Sequence, residues 1–168
     1  VPRQHARQGQ TIDAWAIKGD NPNGPAIVAT HGWGASRIDM LSRFEALRPH
    51  ASRIVLGDMP GHGETSGTCS LGWFEVPELA LVIAHAARKP ADESTPIVLY
   101  GYSLGAEVTI KTWNSIALDA LDQIDSIAGI ILDSVSRGSA ETKRIAYLSQ
   151  SPSPSQPSRR GNYTLRKT

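Results

Sequence analysis

Gly101-Tyr102-Ser103-Leu104-Gly105 places a serine where it could act as a nucleophile. The stretch matches G-x-S-x-G, and the chemistry of that pattern is acyl transfer: a hydroxyl exposed on a sharp turn attacks a carbonyl carbon. The apolar run Pro96–Tyr100 predicts a buried strand before it, and the segment from Leu104 to about Trp113 predicts a helix after it. Strand, sharp turn, helix is the context a nucleophile elbow needs. A side chain two residues from the serine on either side would crowd the neighbouring strand or helix, which gives Gly101 and Gly105 a steric reason. Five residues match by chance often enough that Ser103 could also be a turn serine capping a helix. Two upstream motifs reduce the weight of that alternative.

The first is His31-Gly32-Trp33-Gly34, directly after the strand-like Ala26–Thr30. An HGxG turn at the end of a central strand lets backbone N–H groups face the nucleophile. The N–H groups of Trp33 and Leu104 are the expected oxyanion hole, with His31, Gly32 and Gly34 shaping the turn. The second is Asp58-Met59-Pro60-Gly61-His62-Gly63-Glu64-Thr65-Ser66, after the strand Ile54–Gly57. Glycine and proline at that density mark a tight loop at a strand's C-terminal end.

In this order and strand context, HGWG, DMPGHGETS and GYSLG resemble the α/β-hydrolase family. The resemblance covers Thr11 to Asp133, and its nearest flavour is the serine esterases, lipases and aminopeptidase-like hydrolases. It implies a serine hydrolase of ester, thioester or amide bonds, with an acyl-enzyme on Ser103, a small-molecule acyl substrate and no cofactor. It also implies the chain order nucleophile, acid, histidine. The five histidines, His5, His31, His50, His62 and His85, all precede Ser103. No general base therefore stands at the implied position, and this chain is expected to be nearly inactive. Asp133 matches the strand end where some members carry the acid; otherwise it caps a loop. A non-catalytic binding protein that kept the fold, and an acyltransferase, remain the alternative readings.

The elements that must position these residues alternate. Strands are expected at Thr11–Ile17, Ala26–Thr30, Arg53–Gly57, Pro96–Tyr100 and Gly129–Asp133, with helices near Ile38–Leu47, over Pro77–Arg88 and from Leu104. Leu79, Val82, Ile83 and Ala86 recur at helical spacing, and Pro77 falls in a first turn, where proline is tolerated. This alternation predicts an α/β fold with a mostly parallel sheet covered by helices on both faces. With 168 residues and a start at Val1, the chain is expected to be an incomplete domain of this kind. Gly129–Asp133 would then be an exposed edge strand, available for self-association.

After Asp133 the pattern stops. Residues 134–168 carry seven Lys/Arg against one acid, Glu141, and Ser149–Ser158 is a Ser/Pro-rich stretch that cannot build a core. This basic tail is expected to be disordered or aberrant rather than a nucleic-acid arm, since aromatic interleaving is confined to Tyr163. The whole chain is nearly neutral, at +1, so an acidic polymer is not expected as partner. Cys69 is the single cysteine, which excludes an internal disulfide and points to a reducing, cytoplasmic setting. No apolar run approaches the ~20 residues that span a membrane. Asp119, Asp122 and Asp125 read as a solvated face, and no His, Cys or carboxylate pair has metal-ligand spacing. Trp15, Trp73 and Trp113 read as core or cap-facing aromatics, whereas Trp33 is placed to line an acyl pocket.

Overall fold

Short runs rich in valine and isoleucine become strands, and the residues within them sort by alternation. The computed structural model describes residues 11–73, 75–87, 95–119, 127–134 and 164–167. In chain order the elements are β1 (Thr11–Lys18), β2 (Ala26–Thr30), α1 (Leu41–Leu47), a 3-10 turn (Arg48–His50), β3 (Arg53–Gly57), α2 (Glu75–Ala87), β4 (Ile97–Tyr102), α3 (Leu104–Asp119), β5 (Ile127–Asp133) and β6 (Thr164–Lys167). They form one sheet of order β5-β4-β2-β3-β1-β6. β1 runs antiparallel to β3, and every other neighbouring pair is parallel.

β2 is buried along its whole length because helices cover both faces. Ala26 and Val28 pack with Leu79, Val82 and Ile83 of α2 and with Leu104 and Val108 of α3. Ile27 and Ala29 turn the other way, toward Met40 and Phe44 at α1. β3 divides likewise, with Val55 on the α2–α3 face and Ile54 and Leu56 on the α1 face. A two-residue side-chain period forces this division, and each fully buried Leu, Ile or Val contributes about 1.5–3 kcal/mol. The α2 residues expected at helical spacing, Leu79, Val82, Ile83 and Ala86, are all buried.

Boundaries differ from expectation where polar contacts intervene. α1 begins at Leu41 rather than near Ile38. Residues 36–41 form tighter turns instead, with Asp39 N–H on Ser36 O and Leu41 N–H on Ile38 O, and Ile38 is exposed. The Asp39 carboxylate accepts from Ser36 N–H at 2.7 Å and from Ser36 Oγ–H at 3.0 Å, an arrangement that competes with helix. α2 starts two residues before Pro77, at Glu75, and α3 extends past Trp113 to Asp119. Trp73 is exposed, with Lys111 Nζ 5.7 Å from its ring centroid, so it is not a core residue. Within the tail, Thr164–Lys167 pairs in parallel with β1, from Thr11↔Thr164 to Ala14↔Lys167. Four residues, two of them cationic, carry too little pattern to announce this strand. The rest of the tail lies outside the described residues, as do Asp122 and Asp125. β5 pairs with β4 alone among the described residues and is half-exposed on both faces, with Ile131 43% accessible. Among the described residues no helix is long and apolar enough to cross a membrane.

Candidate active site

Ser103 sits between the end of β4 and the start of α3 with φ at +53°. A non-glycine residue in this left-handed region costs on the order of 1–3 kcal/mol and persists only where its surroundings dictate it. Three glycines let them do so. A Cβ on Gly105 would lie 2.3 Å from Thr30 O and 2.4 Å from His31 O, so the start of α3 rests on the backbone at the end of β2. A Cβ on Gly101 would lie 2.5 Å from Ala106 Cα and 2.5 Å from Gly105 O. A Cβ on Gly32 would come within 3.3 Å of Ser103 Cβ. The steric role expected for Gly101 and Gly105 is therefore present, and Gly32 brings the HGWG turn directly against the serine.

That turn has a defined shape. Ala35 N–H donates to Gly32 O at 3.3 Å and Gly34 has φ +70°. Trp33 and Gly34 are thus the central residues of a type II turn, whose second central position favours glycine. The Trp33 side chain is 72% exposed. Leu104 is the first residue of α3, and N–H groups in a first helical turn have no intrahelical acceptor.

His31 and His62 secure the turn rather than face Ser103. His31 is fully buried. Met59 N–H donates to its Nε2 at 2.9 Å, and its Nδ1 lies 2.7 Å from Gly32 O. Gly34 N–H donates to His62 Nε2 at 3.1 Å, and His62 Nδ1 lies 3.0 Å from Pro60 O. A backbone N–H can only donate, so each Nε2 is the acceptor and each proton sits on Nδ1, facing a carbonyl. Both imidazoles are then saturated. Burial holds the His31 pKa below its ordinary value, against the opposing pull of the Gly32 carbonyl. The rings stand 5.0 Å apart and tie the HGWG turn to the DMPGHGETS loop.

Asp58 organises that loop from inside. It is 2% exposed. Its carboxylate accepts from Arg37 N–H at 2.6 Å, from Glu64 N–H at 3.0 Å and from the Arg37 guanidinium. Arg37 is equally buried, also reaches Glu64, and lies 4.8 Å over the Trp15 ring. Sequence reasoning quoted Asp58 within its loop but missed Arg37. The partner lies 21 residues away, and nothing in the spacing of Arg37 announces the pair. Glu75 was missed as well. It accepts from Ser70 N–H (2.6 Å), Ser70 Oγ–H (2.5 Å) and Gly72 N–H (2.9 Å) at the start of α2. Burial pushes its pKa up, but these donors outweigh burial and hold it below the ordinary value.

Asp133, at the end of β5, comes beside the serine through its backbone: Ser103 N–H donates to Asp133 O at 2.9 Å. Its carboxylate takes Tyr100 Oη–H at 2.6 Å, Arg43 Nε–H at 3.1 Å and Ser134 Oγ–H at 2.9 Å. These donors, Tyr100 foremost, hold it below the usual carboxylate range. Burial first, then Asp133, push the Tyr100 hydroxyl up to about 12. His50 ends the 3-10 turn, His85 lies in the last turn of α2, and His5 falls outside the described residues. A small depression, open to solvent, is lined by Thr30, Asp58, Met59, Glu75 and Leu79 but not by Ser103. It lies beside α2 and not at the serine. Among the described residues no group of three or more His, Cys, Asp or Glu could hold a metal ion.

Comparison with known proteins agrees with this fold. Residues 27–167 match the alpha/beta hydrolase family. The chain is 31% identical over 109 residues to the pimeloyl-[acyl-carrier protein] methyl ester esterase of Xylella fastidiosa, covering 65% of this chain and 36% of that protein. It is 27% identical over 143 residues to the magnesium-chelatase 30 kDa subunit of Rhodobacter capsulatus, covering 77% of this chain and 46% of that one. The chain thus spans less than half the length of these relatives. Among solved structures, an esterase from Exiguobacterium antarcticum superposes with TM-score 0.56 at 19% identity, over 75% of this chain and 42% of that one. MenH from S. aureus superposes with TM-score 0.55 at 20% identity, over 74% and 43%. With a mostly parallel sheet, a strained serine between β4 and α3, and a match that covers most of its length, the chain belongs to the alpha/beta hydrolase family.

Proposed function

We propose that Ser103 is the nucleophile of a serine hydrolase that cleaves an ester, thioester or amide of a small acyl substrate. The observation that carries this reading is the placement of Ser103: it has φ +53°, and the Gly32 turn is packed against its Cβ. Ser103 Oγ attacks the carbonyl carbon while the N–H groups of Trp33 and Leu104 hold the developing oxyanion. The tetrahedral intermediate expels the leaving group, and water then hydrolyses the acyl-enzyme. The likeness to an esterase that acts on a methyl ester supports an ester among the three bond types.

The hydroxyl proton is the missing part. Every histidine precedes Ser103, and the two beside its turn use both ring nitrogens on backbone groups. Loss of a triad member costs on the order of 10⁴–10⁶ in turnover, while oxyanion stabilisation and binding leave roughly 10³–10⁴ over water. The chain as given should therefore hydrolyse activated esters near background. A long incubation with a fluorophosphonate probe, followed by mapping of the adduct by mass spectrometry, tests the nucleophile. The expected result is slow modification confined to Ser103 and lost in Ser103→Ala. Adducts scattered over other serines, or none at Ser103, would refute the reading. Rapid stoichiometric labelling would show that a base is supplied after all.

A further inference from the structure

We propose that Asp133 and Arg43 are positioning residues, a brace that holds the Ser103 turn from behind, and that Asp133 is not the catalytic acid. This inference rests on the reading of Ser103 as the nucleophile. Asp133 acts at two points. Its main-chain carbonyl accepts the Ser103 N–H at 2.9 Å, which pins the strained residue itself. Its carboxylate orients Arg43 through Nε at 3.1 Å, and the Arg43 guanidinium lies 3.7 Å over the Tyr102 ring.

Tyr102 is the residue before the serine, and its ring is held from two sides. One is Arg43. The other is the HGWG turn, where a Cβ on Gly32 would lie 3.2 Å from Tyr102 Cδ1. A ring held between a cation and a backbone turn cannot swing without carrying the peptide that leads into Ser103. Tyr100, two residues earlier on β4, donates its hydroxyl to the same Asp133 oxygen that Arg43 uses. The brace therefore joins α1, β4, β5 and the HGWG turn around one residue with φ +53°.

The same contacts argue against the acid role. A triad acid must accept the Nδ1–H of the base and orient it. The Asp133 carboxylate already accepts from Tyr100, Arg43 and Ser134, and one of its oxygens carries both a phenol and a guanidinium. Removing such donors would disturb the serine before any imidazole arrived.

The test is hydrogen exchange of the Ser103 amide, read by NMR on the 168-residue chain, with the Leu56 amide in the middle of β3 as reference. The Ser103 amide should be protected in the unmodified chain. Arg43→Ala and Asp133→Ala should speed its exchange at least ~10-fold while Leu56 exchange stays unchanged. Arg43→Lys keeps a charge but not a planar group to stack on the ring, and should fall between Arg43→Ala and the parent. Tyr102→Phe keeps the stacked ring and should match the parent. Equal acceleration at Ser103 and Leu56, or an unprotected Ser103 amide in the parent, would overturn the brace, as would no change in Arg43→Ala. Exchange does not depend on reactivity, so probe labelling that misses Ser103 would remove the nucleophile reading and leave the exchange result standing.

Discussion

Replacing Gly105 by alanine adds one methyl group where the backbone of two elements meets. Its Cβ would stand 2.3 Å from Thr30 O and 2.4 Å from His31 O. An ordinary carbon–oxygen contact is about 3.3–3.6 Å, so the overlap approaches ~1 Å. Neither carbonyl is a flexible side-chain end. Either the first turn of α3 lifts from β2 or the end of β2 bends. Overpacking in a core costs about 1–3 kcal/mol, and two backbone atoms place this case near the upper figure. Alanine recovers about 1 kcal/mol over glycine within a helix. The net expectation is a loss of about 2 kcal/mol. Urea unfolding followed by tryptophan fluorescence reads this directly: with a slope of about 2 kcal/mol/M, the midpoint falls by about 1 M. Gly129→Ala is the matched control, because a Cβ there meets nothing within 4 Å. Relief of glycine entropy in a strand should raise stability by about 0.5–1 kcal/mol. Equal midpoints for Gly105→Ala and the parent, or a loss in Gly129→Ala as large as in Gly105→Ala, would refute the steric argument. The displaced turn should also slow probe labelling at Ser103, since an ångström of misplacement costs about 10² in rate.

Asp58→Ala should destabilise by about 3 kcal/mol in the same assay, the lower end for breaking a buried ion pair, because the buried Arg37 guanidinium then keeps only the exposed Glu64 as its ion-pair partner; a loss under ~1 kcal/mol would contradict the burial of that pair. The lowered pKa of His31 favours its neutral form in the fold, so its contribution is complete above the ordinary 6.5 and is lost as pH falls through the lower folded value. Stability should therefore begin to fall below pH 6.5, before Glu75 contributes its own loss on acidification below its ordinary 4.5, and His31→Gln should flatten the first of these two slopes. An unchanged first slope in that variant would rule His31 out as its source. Through the β5 edge, a second copy of the chain should pair at high concentration, and Ile131→Lys should abolish the pairing in sedimentation velocity runs. A monodisperse, cooperatively unfolding monomer would count against that association.

What the sequence by itself determined is local. Near-continuous apolar runs in Ala26–Thr30 and Arg53–Gly57 specified strands with two apolar faces, because side chains on a strand point alternately to either side. Glycines two residues either side of Ser103 announced a close backbone approach, and the structure supplies the neighbours they approach. The order of HGWG, DMPGHGETS and GYSLG was legible for the same reason: each is a short stretch whose backbone needs determine its own residues. Contacts between elements had no such signature. Arg37 meets Asp58 across 21 residues and Arg43 meets Asp133 across 90, and neither arginine stands out by spacing or periodicity. The sequence offers Asp133 as either a triad acid or a loop cap, and nothing in it announces the Tyr100 and Arg43 donors that the fold places upon its carboxylate. Which ring nitrogen of His31 and His62 accepts follows from the Met59 and Gly34 N–H groups that reach them, 28 residues away in each case. A charged or titrating side chain takes its role from whatever the chain brings to it, and that is decided only when sheet order and loop closure bring distant backbone together.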